Sequence, residues 1–208
     1  MTPATAALFF AILSLAALAG TIALLVLLGL TRGMDAEAPA TGLGQVRSDL
    51  SRAALPVAWI VATVTSLGSL YFSEIAHYIP CALCWYQRIC MYPLALLLGI
   101  ATFRRDRSIR IYVIAQAGVG AVIAAYHAFV QAFPPESGTS FCTTEAPCTV
   151  RYVWELGFVS LPFMALTGFL FIITLMVVAG RPASELPDPV PTDELAASPR
   201  PLVPGASR

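Results

Sequence analysis

The sequence predicts an all-α membrane protein with five transmembrane helices, and three observations carry that prediction. Of 208 residues, 58% are hydrophobic and only 12% are charged, where a soluble domain covers its surface with about 25% charged residues. Five apolar stretches are each long enough to cross about 30 Å of hydrocarbon, which takes roughly 20 helical residues. No segment shows the polar–apolar alternation of a transmembrane β-strand, and backbone groups in lipid must be bonded within their own segment, which leaves the helix. A water-soluble globular enzyme and a disordered chain are both excluded. The basic residues are all arginine, and twelve of them offset twelve acids. Zero net charge gives no electrostatic basis for a nucleic-acid partner.

The first stretch runs from about Ala6 to Leu30. Ala17-Leu18-Ala19 resembles a signal-cleavage site, but no Lys or Arg precedes it and the apolar run is too long for a signal core. It is therefore expected as a retained N-terminal helix within residues 1–32. A polar cytoplasmic connector is expected over residues 33–54. The second stretch runs from Leu55 to about Phe72, the third from about Cys84 to Phe103, the fourth from about Ile109 to Phe133 and the fifth from about Phe158 to Ala179. These four make one helical domain over residues 55–180. Residues 181–208 hold seven prolines and almost no apolar periodicity, the composition of a disordered cytoplasmic tail.

Arginine asymmetry sets the orientation, because cytoplasmic loops carry the excess of Lys and Arg. The turn from Phe103 to Arg110 holds Arg104, Arg105, Arg107 and Arg110, so it is expected inside. Counting spans outward, Arg32, Arg47, Arg52 and Arg181 also fall inside, and only Arg88 and Arg151 lie near the outer face. On this topology Cys81 and Cys84 lie at the outer end of the third helix, while Cys142 and Cys148 lie in the outer loop before the fifth. That is the side on which disulfides form and persist.

A C-x-x-C at a helix start has a chemical use. Its two side chains can close a small disulfide ring, and the unpaired amides there stabilise a thiolate. A static structural disulfide and half of a zinc site fit the same short motif. Cys142 and Cys148, with five residues between them, are spaced to close a second disulfide loop. A tetrahedral zinc site of all four cysteines is the competing use. Cys90, six residues after Cys84, points away from it and reads as a small buried hydrophobe.

The run Cys81-Ala82-Leu83-Cys84-Trp85-Tyr86-Gln87-Arg88, followed by Met91-Tyr92-Pro93, closely resembles the disulfide bond formation protein B family, in its short-looped branch often called BdbC. Tyr126-His127 with Gln131, Cys148-Thr149-Val150-Arg151, Leu156-Gly157-Phe158, Leu161-Pro162-Phe163 and Leu166-Thr167 extend the resemblance from about Leu55 to Ala179. It implies a four-helix bundle, to which this chain adds one N-terminal transmembrane helix. It also implies a thiol:quinone oxidoreductase of the bacterial inner (cytoplasmic) membrane, with its active site on the extracytoplasmic face. Such an enzyme re-oxidises a thioredoxin-fold thiol oxidase of the DsbA/BdbD kind and passes two electrons to a membrane quinone, ubiquinone or menaquinone.

By motif match, Cys81 and Cys84 resemble the quinone-facing pair, and Cys142 and Cys148 the partner-facing pair. Arg88 matches the arginine associated with quinone binding. An ionisable group within a membrane helix is a functional candidate in its own right, although an arginine this near the surface can also snorkel to headgroups. His127 lies at a similar depth, where it can contact or protonate a quinone oxygen or simply bond a carbonyl in the core, and Gln131, one turn on, is a weaker candidate of the same kind. Trp85 is a weaker one, since Trp85, Tyr86 and Trp154 also suit the aromatic belt of the membrane interface. His77, four residues before Cys81, and the solvated Glu145 and Glu155 are not expected to take part. Two rival functions remain at this point: a non-catalytic membrane subunit braced by two disulfides, and a quinone reductase like the vitamin K epoxide reductases. The Trp-Tyr-Gln-Arg run after the C-x-x-C speaks against the latter.

Overall fold

The computed structural model describes residues 2–31, 42–134, 142 and 146–180. Five helices follow one another: α1 (Pro3–Thr31), α2 (Gly42–Leu70), α3 (Ala82–Arg104), α4 (Arg110–Ala132) and α5 (Leu161–Ala179). All five are long and apolar enough to cross a membrane. Among the described residues there is no strand, only an isolated bridge between Glu155 and Val159. Helices α2 to α5 form a ring in which each packs on the next and α5 closes back on α2; α1 lies outside the ring, along α5.

The core is built from small and large side chains in register. Ala54, Ala58 and Ala62 on α2 are fully buried, as are Leu94 and Leu98 on α3 and Phe169 and Ile172 on α5. Alanines at a four-residue spacing let helices approach closely, which matters in lipid because apolar burial alone does not drive helices together there. Pro56 and Pro93 lie within α2 and α3, as neighbouring helices in a membrane bundle permit.

The connector expected over residues 33–54 is shorter than its polarity suggests, for α2 is already helical from Gly42. Polar residues do not prevent helix formation. Asp49 accepts from Gln45 one turn earlier and pairs with Arg52, and local pairs of this spacing support an exposed helix. At its far end α2 widens into a π-helical turn, Tyr71–Ile75. Residues 32–41, the segment from Arg181 onward and Glu145 lie outside the described residues.

The two ends of the bundle differ. At one end α3 stops at Arg105, which takes the left-handed conformation (φ 55°), and the Asp106 amide bonds back to the Ala101 carbonyl at 2.9 Å. Asp106 then accepts from the Ser108 amide at 2.9 Å and hydroxyl at 2.7 Å, which holds its carboxyl below the usual range. Arg107 reaches Ser51 at 3.4 Å, and the Ser51 hydroxyl donates to the Ala179 carbonyl at 3.0 Å. These contacts tie the start of α2, the arginine turn and the end of α5 together. All the paired cysteines lie at the opposite end.

Candidate redox site

Cys81 is the residue before α3, in extended conformation (φ −74°, ψ 173°), and its carbonyl accepts the Trp85 amide at 3.1 Å. It therefore caps the helix, and Cys84 sits in the first turn. Their Sγ atoms are 3.2 Å apart, as two thiols in contact. Cys142 and Cys148 are joined in a disulfide. That bond removes them as thiolate ligands, so the four cysteines do not form one tetrahedral set. The sulfurs of Cys81 and Cys84 and a ring nitrogen of His127 nevertheless lie within 4.8 Å of one another.

The fold brings the two pairs into one cluster. Cys81 and Cys148 are buried together with Leu83 and Val130, and Cys84 and Cys142 pack against them. His127, fully buried near the end of α4, joins the halves: its Nε2 lies 3.7 Å from Cys81 Sγ and 3.1 Å from the Cys148 carbonyl oxygen. Gln87 Nε2 stands 3.0 Å from His127 Nδ1. The amide of Gln87 donates there, which leaves the ring proton on Nε2, facing the carbonyl and the sulfur. Cys81, just ahead of the α3 span, is held below the usual thiol range. The cause is first its hydrogen bond with Cys84, opposed by burial, and then its hydrogen bond and charge interaction with His127.

The loop that carries the disulfide is strapped to the end of α4. Gln131 Nε2 donates to the Val150 carbonyl at 2.9 Å, and Arg151 donates back to the Gln131 carbonyl through Nε at 3.1 Å and through its terminal nitrogen. The arginine also lies over the Trp154 ring, 4.1 Å from its centroid. A guanidinium on the last carbonyls of a helix meets the negative end of the helix dipole. The strap ends three residues after Cys148 and so fixes that cysteine above His127.

Arg88 does not reach out of the bundle. It is buried, and it donates to the Ser69 hydroxyl and the Ser69 carbonyl, both at 2.9 Å, with the Trp85 ring 5.2 Å away. Its charge is thus held at the rim of a mostly apolar cavity of about 500 Å³, which Cys81, Cys84, Gln87, Tyr92, His127 and Gln131 also line. Two buried polar atoms of lining residues, Tyr92 Oη and Gln131 Oε1, have no hydrogen-bond partner among the described residues, and both are closed off from the cavity space.

Of the sequence candidates, the structure thus gathers Cys81, Cys84, Cys142, Cys148, Arg88, His127 and Gln131. Trp85 is half exposed and does not line the cavity. His77 is exposed on the turn before α3, and Cys90 is buried in the main core. Gln87, Ser69 and Tyr92 were not singled out from the sequence. Gln87 had a signal, being a polar amide inside a membrane helix, where such groups are costly. Ser69 had none, since small hydroxyl residues are common in such helices.

The profile of the disulfide bond formation protein DsbB family matches residues 51–179. Disulfide bond formation protein C of Bacillus subtilis (strain 168) is 47% identical over 131 residues, which are 63% of this chain and 95% of that protein. Probable disulfide formation protein C 1 of Bacillus anthracis is 46% identical over 119 residues, 57% of this chain and 86% of its own. A probable disulfide formation protein of Oceanobacillus iheyensis is 42% identical over 126 residues, 59% and 86% of the two chains. No solved structure matches the chain. With two cysteine pairs meeting at one end of a helical membrane bundle, and with more than half its length matched, the chain belongs to the disulfide bond formation protein DsbB family.

Proposed function

We propose that this multi-pass, disulfide-generating membrane oxidoreductase oxidises a thioredoxin-fold dithiol protein on the extracytoplasmic face and delivers the electrons to a membrane quinone. The observation that carries the proposal is the cavity. It reaches the Cys81–Cys84 pair, is otherwise mostly apolar, and has the Arg88 charge in its lining. A flat apolar ring with two carbonyl oxygens matches that lining, because a nearby cation stabilises the charge that develops on reduction. The quinone supplies a lipid-soluble acceptor for two electrons and two protons.

The thiol chemistry then runs as a balanced exchange. A partner thiolate attacks Cys142, the more accessible end of the loop disulfide, forming a mixed disulfide and freeing Cys148 as a thiolate. With the oxidised Cys81–Cys84 bond in place, Cys148 attacks Cys81 and Cys84 leaves as a thiolate. The partner's second thiol resolves the mixed disulfide, releasing the oxidised partner and the Cys142 thiolate. Cys142 then attacks Cys148, which restores the loop disulfide and frees Cys81. The Cys81–Cys84 dithiol returns to a disulfide by giving two electrons and two protons to the quinone. His127 stands where it can stabilise Cys81 as a leaving thiolate, and Arg88 beside the acceptor.

Anaerobic titration of the purified protein with a reduced thioredoxin-fold partner and a soluble quinone tests the proposal. One hydroquinone is expected per disulfide made in the partner. Disulfide formation that continues at the same rate without quinone, or loop and helix pairs that never cycle, would refute it.

A further inference from the structure

We infer that α1, which lies outside the matched residues 51–179, is a wall of the acceptor chamber, and that the seam between α1 and α2 admits the apolar tail of the quinone. The inference rests on the quinone reading above and adds to it the route and the helix that shapes it.

Helix α1 packs along α5 and only lightly on α2, yet its seat is specific. Phe10 of α1 lies against Gly68 of α2, where a Cβ would meet ring carbons at 2.7 Å; Phe171 of α5 lies against Gly20 of α1, where a Cβ would meet the ring at 2.9 Å. A side chain at either position would force the facing ring to move. The Phe10 ring also packs on Phe72, with centroids 5.7 Å apart. Ten residues of helix separate the two contacts, about 15 Å at 1.5 Å per residue.

Between those contacts α1 lines the cavity with Leu13, Ser14, Ala16 and Ala17. Positions 10, 13, 14 and 17 fall on one helical face. Across from them stand Ile60, Val61 and Val64 of α2, with Phe171 of α5 at the base. Small side chains on the α1 face leave the gap unfilled. Leu13 and Ile60 line the chamber and are also 39% and 55% exposed, so the chamber reaches the apolar exterior of the bundle at this seam. The other end has the opposite character. Gly68, beneath Phe10, is followed directly by Ser69, which holds Arg88. Phe10 therefore divides a polar head region at the cysteines from an apolar channel leading to lipid. That order, polar head inward and apolar tail outward, suits a prenylated quinone entering sideways from the bilayer. A phospholipid acyl chain suits the channel alone.

The test uses the full-length protein in lipid nanodiscs with a decyl-quinone carrying an azide at the end of its tail, photolysed and mapped by mass spectrometry. Label is expected within residues 10–17 of α1, and excess decyl-quinone should suppress it while excess phospholipid should not. Label confined to α2–α5, or α1 label that phospholipid competes away, overturns the inference while leaving the quinone reading intact. If no label appears and no quinone is reduced, both fall. A second measurement uses Ser14→Trp, which fills the channel. It should raise the KM for decyl-quinone about tenfold and leave the rate at which dithiothreitol reduces the Cys142–Cys148 bond unchanged. Ile12→Trp, on the exposed face of the same helix, should change neither. An unaltered KM in Ser14→Trp also overturns the inference.

Discussion

His127 Nε2 lies 3.7 Å from Cys81 Sγ, which joins the fourth helix to the first cysteine of the C-x-x-C. The same nitrogen stands 3.1 Å from the carbonyl oxygen of Cys148. One imidazole therefore touches both halves of the redox site, and it is oriented by Gln87 from the opposite ring nitrogen. A thiolate forming at Cys81 meets a ring N–H without any rearrangement of the backbone.

That contact predicts a pH effect with a definite sign. Cys84 and His127 both draw the Cys81 pKa down, so removing either contact raises it and thiolate formation moves to higher pH. In a reduced protein whose only thiols are Cys81 and Cys84, His127→Ala should shift the first thiolate absorbance step upward, with the thiolate lost first on the acid side. An unchanged midpoint would show that the imidazole only fills space.

The buried position of Cys148 beside Cys81, with Cys142 less buried, predicts the order of the proposed relay. A reduced partner that keeps only its attacking cysteine should be trapped on the intact loop pair through Cys142, visible as a heavier band on a non-reducing gel, because the partner thiol that would resolve the mixed disulfide is missing. An adduct mapping to Cys81 or Cys84 in protein with an intact loop pair means the relay runs in another order.

Arg88→Ala should raise the quinone KM about tenfold or more, since a hydrogen bond from a charged group is worth roughly 1.5–3 kcal/mol and about 1.4 kcal/mol is a factor of ten. Both disulfides should still form on oxidation by a chemical oxidant. Arg88→Lys should recover little, because one ammonium cannot reproduce the two bonds that the guanidinium makes to Ser69. Normal KM and turnover in the alanine variant would reduce Arg88 to a structural tie between α2 and α3.

Orientation is tested by single cysteines at Ser108, in the arginine turn, and at Leu156, exposed in the loop before α5. In a background without native cysteines, an impermeant thiol reagent applied to intact cells should label Leu156→Cys and spare Ser108→Cys. The reverse pattern inverts the topology, and equal labelling of both refutes a fixed one.

The sequence by itself determined the helices and the identity of the chemistry. A bilayer demands about 20 apolar residues with internally bonded backbone, so five spans are visible as composition, with ends close to those observed. The start of α2 escaped because residues 42–54 are polar, and a helix outside lipid needs no apolar run. The cysteines, Arg88, His127 and Gln131 were legible because each is costly or reactive where it stands, and such residues carry a signal without their partners.

Only the tertiary structure decided how those residues meet. Cys81 and Cys148 are far apart in the chain, and nothing in either motif specifies the loop strap from Arg151 to the Gln131 carbonyl that brings them together. Ser69 became the partner of Arg88 only because α2 packs on α3 in one register, and register depends on which small residues face each other across the helices. The seat of α1 is the clearest case. Phe10 against Gly68 and Phe171 against Gly20 are matched shapes on separate helices. Such complementarity belongs to a pair of surfaces, so neither segment read alone contains it.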